Sequence, residues 1–292
     1  MSEIILEIES QPAVWREAIA RLPELAPKLP PPGSRVAFIG CGTSYYMAQA
    51  VATAREAQGL GESDAFVASE MPSGRSYELV VAITRSGTTT EVLRALDALP
   101  PGTPTLAITA VPDTPIPAAT TYAVVLPFAD ESSIVQTRFA STALTLLRAH
   151  LGHELEPAIA ATEQSLARPL PVEPSDFEHF VFLGSGWSVG LAAEAALKLR
   201  EAAGAWAESY PAMEFRHGPI SAASERSLVW ILGDVEPDLA DDIRTTGATV
   251  VENRVDPMAE LVTTQRAAVA LAEARGLDPD RPRHLTRSVV LP

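Results

Sequence analysis

The sequence contains a single cysteine, Cys41. One cysteine excludes an internal disulfide framework and a cysteine-rich zinc site, and it fits a reducing compartment. Long apolar segments are also missing: no stretch of about 18 residues is free of charged side chains, which argues against a membrane span. The first residues, MSEIILEIESQP, carry acids rather than the basic region of a signal peptide. We therefore expect a soluble protein of the cytoplasm.

Positive charge is scarce in this chain. Its 22 lysines and arginines are outnumbered by 37 acidic residues, so the formal net charge is −15. A surface of this sign repels nucleic acids and anionic membranes, and neither is expected as a partner. A small anionic ligand would therefore have to be held by local donors: backbone N–H groups at helix starts, hydroxyl groups and a few well-placed cationic side chains.

Apolar segments alternate with helical ones along the chain. Its 292 residues, 47% of them hydrophobic, suit about two domains of ~150 residues. Strand–turn–helix units in both halves predict an α/β fold with parallel sheets and helices on both faces. The segment VFLGSGWS (181–188) mirrors AFIGCGTS (37–44), which indicates an internal repeat. A proline-rich connector at 169–174 separates two predicted domains, 1–165 and 172–292.

Two hydroxyl-rich loops are candidates for an anion site. GCGTS (40–44) and TRSGTTT (84–90) each follow a predicted strand and open a helix. Glycine lets the backbone approach a ligand, while Ser and Thr hydroxyls join the free N–H groups and positive dipole of the helix start. Neither loop matches the P-loop or the G-x-G-x-x-G fingerprint. The alternative is that these hydroxyls are ordinary helix N-caps, but two such loops on neighbouring strands favour an anion site.

The segment AEAALKLREAAGAWAE places three charges on one helical face. Glu194, Lys198 and Glu201 are spaced i, i+4, i+7. On a solvated helix this is an ordinary ladder of ion pairs. The surrounding alanines and leucines leave little room for a wholly exposed helix, and charges in apolar surroundings are candidates for acid/base chemistry.

A histidine follows this helix, in YPAMEFRHGPIS (210–221). His217 is the only one of five histidines in a turn flanked by Gly and Pro. By itself it would more often be a bystander. Lying sixteen residues after Glu201, it becomes a plausible acid/base partner. We treat His150, His153 and His179 as structural or solvated.

Together these segments resemble the sugar isomerase (SIS) family in its double-domain form. The matching pieces are CGTS (41–44), TRSGTT (84–89), EAALKLRE (194–201), AESYPAMEFRHGP (207–219) and DRPRHLTRSV (280–289). They follow the family order over nearly the whole chain. The resemblance implies two SIS domains, each a five-stranded parallel sheet flanked by helices in a doubly wound, flavodoxin-like three-layer sandwich. The first domain would carry the phosphate-binding loops, and the second would carry the catalytic helix, the histidine loop and the C-terminal tail.

The resemblance also implies roles for individual residues. Glu201 corresponds to the family's proton shuttle between C1 and C2, Lys198 to a site lysine, and His217 to a ring-opening histidine that reaches the neighbouring subunit. A homodimer with shared active sites follows, with no metal and no cofactor. The tail would fold over the sugar. The implied sugar-phosphate contacts are Cys41, Gly42, Thr43, Ser44, Thr84, Arg85, Ser86, Thr89, Thr286 and Arg287.

The chain departs from the family pattern at several positions. Arg85 replaces the usual Gln and Thr88 the usual Glu; an arginine there could bind phosphate bidentately or reject a family substrate. Arg287 replaces a lysine that can engage the substrate carbonyl, and arginine forms no Schiff base at ordinary pH. The loop ESSIVQTRFAST (131–142) aligns only loosely, which leaves Gln136, Thr137 and Arg138 as weak pocket candidates. A glutaminase domain with a nucleophilic N-terminal cysteine is not expected.

We expect an enzyme that isomerises or deaminates an (amino)hexose 6-phosphate by moving a proton between C1 and C2. The relatives that this resemblance implies include deaminases and deglycases. The residues do not decide among these reactions, and they do not identify the sugar. The alternative is a non-catalytic phosphosugar sensor, which would keep the hydroxyl loops but would not need Glu201 and His217. A nucleotide-binding enzyme is disfavoured by the missing fingerprints.

Overall fold

A computed structural model of the chain describes residues 2–291. Nine strands occur within that range: β1 (Val36–Gly40), β2 (Ser63–Val67), β3 (Leu79–Ile83), β4 (Thr105–Thr109), β5 (Tyr122–Val125), β6 (His179–Gly184), β7 (Trp206–Pro211), β8 (Ser227–Leu232) and β9 (Thr249–Asn253). The α-helices of the same range are α1 (Glu3–Glu9), α2 (Gln11–Ala20), α3 (Leu22–Leu25), α4 (Thr43–Ala57), α5 (Thr90–Asp97), α6 (Pro115–Ala119), α7 (Arg138–His150), α8 (Glu156–Leu166), α9 (Ser188–Ala203), α10 (Leu239–Arg244) and α11 (Pro257–Ala274). None of these described helices has the length and apolarity needed to cross a membrane.

The chain divides into two compact units, and each unit is built from several segments. The first unit contains Ala13–Ser132, Gln136–Leu155 and the tail from Thr286 onwards. The second contains the N-terminal residues through Pro12, a short segment at 133–135, and Glu156–Leu285. These units differ from the predicted domains 1–165 and 172–292. In the second unit α1 and α8 both pack against α11, so the first helix of the chain completes a core built mostly from the second half.

The first unit holds a five-stranded parallel sheet with strand order β2-β1-β3-β4-β5. Alternate side chains point to opposite faces of the sheet. Ala37, Ile39, Val80 and Ala82 form a core with α5 and α6 on one face. The side chains of the alternate positions, such as Phe38, are also buried, and α4 packs along β1 and β2. This unit therefore has the predicted arrangement of helices on both faces of a parallel sheet.

The second unit holds a four-stranded parallel sheet with strand order β7-β6-β8-β9. One face packs against α10 through Val181, Val229 and Ile231. On β6 and β8, Phe182 and Trp230 stack with ring centroids 6.4 Å apart, and α9 and α11 pack against these strands. In both units the first four strands occur in the same order: second, first, third, fourth.

The prediction of five strands in the second sheet was wrong for the described residues. After β9 the chain enters the 18-residue helix α11 and then a segment, 275–287, rich in arginine and acidic side chains. That segment has no apolar run suited to a buried strand, and most of its residues are exposed. The apolar residues that follow, from Val289, belong to the first unit.

Candidate functional site

The first hydroxyl loop joins β1 directly to α4. Thr43 and Ser44 are buried in the first turn of the helix, and Gly42 adopts φ 53°. A Cβ added at Gly40 would lie 2.7 Å from the Ser44 carbonyl carbon, so glycine is required where strand and helix meet. Burial, followed by the nearby Glu91 carboxylate, raises the pKa of the Cys41 thiol to about 11. A raised pKa favours the neutral thiol over the thiolate, which is the nucleophilic form of cysteine.

The second hydroxyl loop joins β3 to α5 at the same edge of the sheet. Because β1 and β3 are parallel neighbours, their carboxyl ends, and hence loops 41–44 and 84–90, lie side by side within the first unit. Gly87 has φ 67°, and a Cβ there would fall 2.0 Å from the Thr114 hydroxyl. The N–H of Gly87 donates to Thr84 Oγ1 at 3.3 Å. The adjacency predicted for the two loops is thus present in the fold.

The C-terminal tail lies on the second loop. The hydroxyls of Ser86, Thr88 and Ser288 are 2.9–3.1 Å from one another. The N–H of Thr90, at the start of α5, donates to the Val289 carbonyl at 3.1 Å, and the Leu291 N–H donates to Thr90 Oγ1 at 2.9 Å. The tail therefore adds a hydroxyl and a carbonyl to the start of α5.

Arg85 is enclosed between the loop, the tail and a carboxylate. Its guanidinium is 1% exposed and lies 3.8 Å from the fully buried carboxylate of Glu131; it also donates to the Arg287 carbonyl at 3.2 Å. Glu131 accepts backbone N–H bonds from Thr137, Arg138 and Phe139 at 2.6–3.1 Å, so it caps the start of α7. Arg85 therefore contacts three segments of the first unit: its own loop, the C-terminal tail and the segment that contains Glu131. Its role as a direct phosphate contact stays a prediction.

The tail residues that were predicted to line a pocket have different surroundings. The Arg287 guanidinium pairs with the Asp130 carboxylate and also donates to the Glu131 carbonyl. Thr286 is exposed, and its hydroxyl donates to the Ser288 carbonyl at 2.9 Å. Arg287 therefore fastens the tail to the segment after β5. Ser288 and Glu131, which the sequence analysis did not select, contact the loop residues directly. They stand in the quoted segments 280–289 and 131–142, but as single hydroxyl and carboxylate residues they had no feature that would have singled them out.

Replacing Arg85 with methionine should lower the free energy of unfolding by about 3 kcal/mol, because it leaves the buried Glu131 carboxylate without its cation. Arg94, also on the first unit but exposed, is the matched control, and Arg94→Met should change stability by less than about 0.5 kcal/mol. Urea unfolding at pH 7 measures both variants. Equal stability of the two would show that the Arg85–Glu131 pair does not hold these segments.

Helix α9 of the second unit carries the charged face that the sequence predicts. Glu194 and Lys198 are each 1% exposed, and Lys198 Nζ lies 3.3 Å from Glu194 Oε1. Lys198 also forms an ion pair with Glu201, whose side chain is 21% exposed. Burial by itself lowers the pKa of Lys198, but the adjacent carboxylates of Glu194 and Glu201 outweigh it and hold the pKa above its ordinary value. The lysine is therefore a permanent cation between two carboxylates, and only Glu201 reaches the surface.

Glu201 lines a cavity of about 620 Å³ within the second unit. One wall is the end of α9 and its left-handed cap Gly204 (φ 59°). The other wall is the segment after α11, residues 276–278 and 281–284. This volume is in the range of small-molecule sites. A partly exposed carboxylate, with a buried ammonium behind it, thus faces a cavity that a sugar can enter.

His217 is presented on a firmly held segment. It ends the 3-10 helix Ala212–His217, where Phe215 is fully buried and the Arg216 guanidinium pairs with Asp238 and Asp242 at 3.1 and 2.6 Å. The imidazole is exposed and does not line the cavity that contains Glu201. These contacts hold the segment, but the structure of one chain does not bring His217 and Glu201 into the same cavity.

The other three histidines of the prediction have structural hydrogen bonds. His150 lies 2.9 Å from the Pro30 carbonyl, and His153 lies 2.6 Å from the Gln58 amide. His179 lies between Ser227, at 3.0 Å, and Glu208, at 3.2 Å. These contacts fit the expectation that the three histidines are structural or solvated.

The repeated loop of the second half does not copy the chemistry of the first. The hydroxyl of Ser188 accepts the N–H of Ser185 at 2.8 Å and lies 2.7 Å from the Leu232 carbonyl. The Ser188 hydroxyl therefore hydrogen-bonds to the protein backbone and stabilises the turn. The repeat in sequence is a repeat of strand–turn–helix geometry.

Comparison with known proteins gives this fold a family context. The family model described as SIS domain matches residues 32–151, which cover most of the first unit, including both hydroxyl loops. Residues 32–151 are therefore similar to SIS domains.

Individual relatives extend the similarity over nearly the whole chain. Glutamine–fructose-6-phosphate aminotransferase (isomerizing) of Sulfurisphaera tokodaii is 27% identical, over 88% of this chain and 50% of that protein. The chain thus spans about half the length of this curated relative. The solved structure of glucosamine-6-phosphate deaminase from Thermotoga maritima matches with a TM-score of 0.88 and 26% identity, over 99% of this chain and 100% of that one. Tagatose-6-phosphate ketose/aldose isomerase from Escherichia coli has the same fold, with a TM-score of 0.84 at 19% identity over 99% and 96% of the two chains.

Proposed function

We propose that the chain is a phosphosugar isomerase or deaminase acting on a hexose or hexosamine 6-phosphate. The observation that carries this proposal is the Glu201 carboxylate, paired with the buried Lys198 ammonium and facing a cavity of about 620 Å³. The whole-chain similarity to a solved glucosamine-6-phosphate deaminase, at 26% identity, supports it. The similarity to the isomerizing aminotransferases, over half of their length, supports the same sugar chemistry.

The phosphate is held by the first unit in this proposal. Helix starts with hydroxyl side chains, such as those of α4 and α5, suit an anion, because the positive end of the helix dipole favours negative charge. The predicted contacts there are the residues of loop 41–44 together with Thr84, Ser86 and Thr89. Anchoring the phosphate fixes the sugar and lowers the entropic cost of the reaction.

The chemical step is proton transfer next to a carbonyl. Glu201 takes the proton from C2 of the open-chain sugar and returns it to C1, while a second proton passes from O2 to O1, so that an aldose becomes a ketose through an enediol. The Lys198 ammonium pairs with the carboxylate and fixes its position before the transfer. With a 2-amino sugar, the product is a ketimine, which water hydrolyses to ketose phosphate and ammonia. No metal or redox cofactor enters this sequence.

We further propose a second SIS domain and a homodimer. The second sheet repeats the strand order of the first four strands of the SIS-matched unit, which supports a duplicated domain. The exposed imidazole of His217, on a segment held by Phe215 and Arg216, suits a group that is donated to the active site of a partner subunit. There it would move a proton at the ring oxygen to open the sugar.

A panel of hexose and hexosamine 6-phosphates tests the function. Ammonia release and ketose formation are followed in the same reactions. We expect at least one member to be converted, with turnover on the order of 1–10³ s⁻¹. Tight binding of a phosphosugar with no conversion of any member would instead identify a phosphosugar sensor.

A further inference from the structure

The C-terminal tail occupies hydrogen-bond donors at the start of α5. Ser288 Oγ lies 3.0 Å from Ser86 Oγ and 2.9 Å from Thr88 Oγ1. The first N–H of the helix, that of Thr90, donates to the Val289 carbonyl at 3.1 Å. Ser86 and the start of α5 are groups that the proposed function assigns to the phosphate. The tail therefore uses donors that a phosphate would also use.

These donors serve one acceptor at a time. The N–H of Thr90 carries a single hydrogen, and so does the hydroxyl of Ser86. A phosphate oxygen that accepts from either group takes the place of a tail acceptor. Ser86 is 8% exposed with the tail in contact with it, which leaves little of its surface for an anion. The tail and a phosphate are thus alternative partners of the same groups.

Polar contacts, more than buried apolar side chains, hold the tail in place. The Leu291 N–H donates to Thr90 Oγ1 at 2.9 Å, and Arg287 forms an ion pair with Asp130. The apolar side chains at the end of the tail are 49%, 67% and 43% exposed for Val289, Val290 and Leu291. A segment with few buried apolar contacts opens locally at a low cost in free energy. The tail is therefore able to leave while the sheet beneath it stays folded.

Attachment to the same chain makes the tail an effective competitor. The local concentration of a tethered group is on the order of millimolar for a short flexible link. The apparent affinity of a ligand falls in proportion to the fraction of molecules whose site is open. A small anion that makes no other contact is disfavoured most, whereas a phosphosugar gains contacts through its sugar that offset displacement of the tail.

We propose that the C-terminal tail is a built-in competitor for the phosphate site at the start of α5, so that the phosphate ester of the substrate displaces it and free inorganic phosphate is kept out. The identity of that site rests on the proposed function. Ser288 and Val289 supply the competing hydroxyl and carbonyl. A tail that added contacts to a bound phosphate would raise the affinity, so the two arrangements predict opposite effects when the tail is weakened.

Inorganic phosphate tests the competition without a sugar. The double variant Ser288→Ala/Leu291→Pro keeps the full chain but removes the tail hydroxyl and the N–H that donates to Thr90. It should bind inorganic phosphate about tenfold more tightly than the wild type, as measured by amide NMR shifts of residues 84–90. Val290→Ala alters an exposed side chain of the same tail and should keep wild-type affinity. Equal or weaker binding by the double variant, including no binding by either protein, overturns the proposal.

A crosslink gives the converse test. Thr88→Cys/Ser288→Cys places two thiols where hydroxyl oxygens lie 2.9 Å apart, so that a disulfide between them, with its S–S bond of about 2.05 Å, fixes the tail on the loop. The oxidised protein should bind inorganic phosphate at least about tenfold more weakly than the reduced protein, and dithiothreitol should restore the affinity. The same affinity in both forms contradicts the competition.

Conversion of phosphosugars separates this inference from the proposed function. If phosphate affinity follows the tail as described and no hexose or hexosamine 6-phosphate is converted, the proposed function fails and the competition stands. If a phosphosugar is converted and phosphate affinity responds neither to the double variant nor to the crosslink, the competition fails and the proposed function stands.

Discussion

Replacing Glu201 with glutamine is expected to lower kcat for the converted phosphosugar by about 10²–10⁴-fold. Glutamine has nearly the same shape and can still accept a hydrogen bond from Lys198, but its amide cannot take a proton from C2. Lys198 keeps its second partner, Glu194, 3.3 Å away, so the helix should remain folded. The dissociation constant for the phosphosugar should change by no more than a few-fold, because the phosphate is anchored elsewhere in the proposal.

Steady-state kinetics and calorimetric titration measure the two quantities separately. Glu236→Gln removes an exposed carboxylate from the same unit and should keep wild-type turnover. Wild-type kcat in the Glu201→Gln variant would refute the assigned role. Loss of binding together with loss of turnover would mean that Glu201 holds the substrate and does not act as the base.

Replacing Lys198 with methionine is expected to lower the free energy of unfolding by about 3–5 kcal/mol, since it leaves the buried Glu194 and the adjacent Glu201 without a counter-charge. The pKa of Lys198 is raised above its ordinary value of 10.5. A raised lysine pKa means that the folded state binds the proton more tightly, so this contribution is fully present below pH 10.5 and is lost as the pH rises through the folded-state value. The stability difference from wild type should therefore persist at neutral pH and narrow only in strong alkali.

Lys28→Met is the matched control for this substitution. Lys28 is exposed and only donates to the Ala123 carbonyl at 3.1 Å, so its loss should cost less than about 1 kcal/mol. Urea unfolding at pH 7 and again above pH 10.5 compares the variants. A Lys198→Met protein as stable as the Lys28→Met protein would show that the three charges are not a coupled buried group.

The parts of the fold that the sequence predicts are those with strong local signals. RVAFIG and LVVAIT are continuous apolar runs, and they form the fully buried strands β1 and β3. The two hydroxyl loops follow those strands, and because the strands pair in parallel the loops meet. The charged face of α9 was likewise visible as i, i+4, i+7 spacing among alanines and leucines.

The strands that sequence reasoning missed are β2 and β7, both at an edge of their sheet. SDAFV and WAESYP mix acids with apolar residues, and the side chains of β2 are half-buried throughout. A strand whose residues mix acids with apolar side chains has no continuous apolar run to reveal it. Both strands occupy the same position in their sheet order, and both lack the apolar run that would have predicted a strand.

The surroundings of Arg85 could not be read from the sequence either. The loop motif places Arg85 beside a phosphate, but the residue that faces it, Glu131, lies 46 positions later in a segment without a motif. An ion pair between residues that lie far apart in the sequence produces no periodic sequence pattern that would predict it. The same holds for the hydroxyl of Ser288, which reaches Ser86 across 202 positions.

Solvent deuterium exchange tests most directly whether Glu201 moves a proton between C1 and C2. The converted phosphosugar is incubated with enzyme in deuterium oxide and examined by NMR. The wild type should exchange the hydrogen at the reacting carbons, and the Glu201→Gln variant should show none of this exchange while still binding the sugar. Exchange at the wild-type rate in that variant would contradict the account.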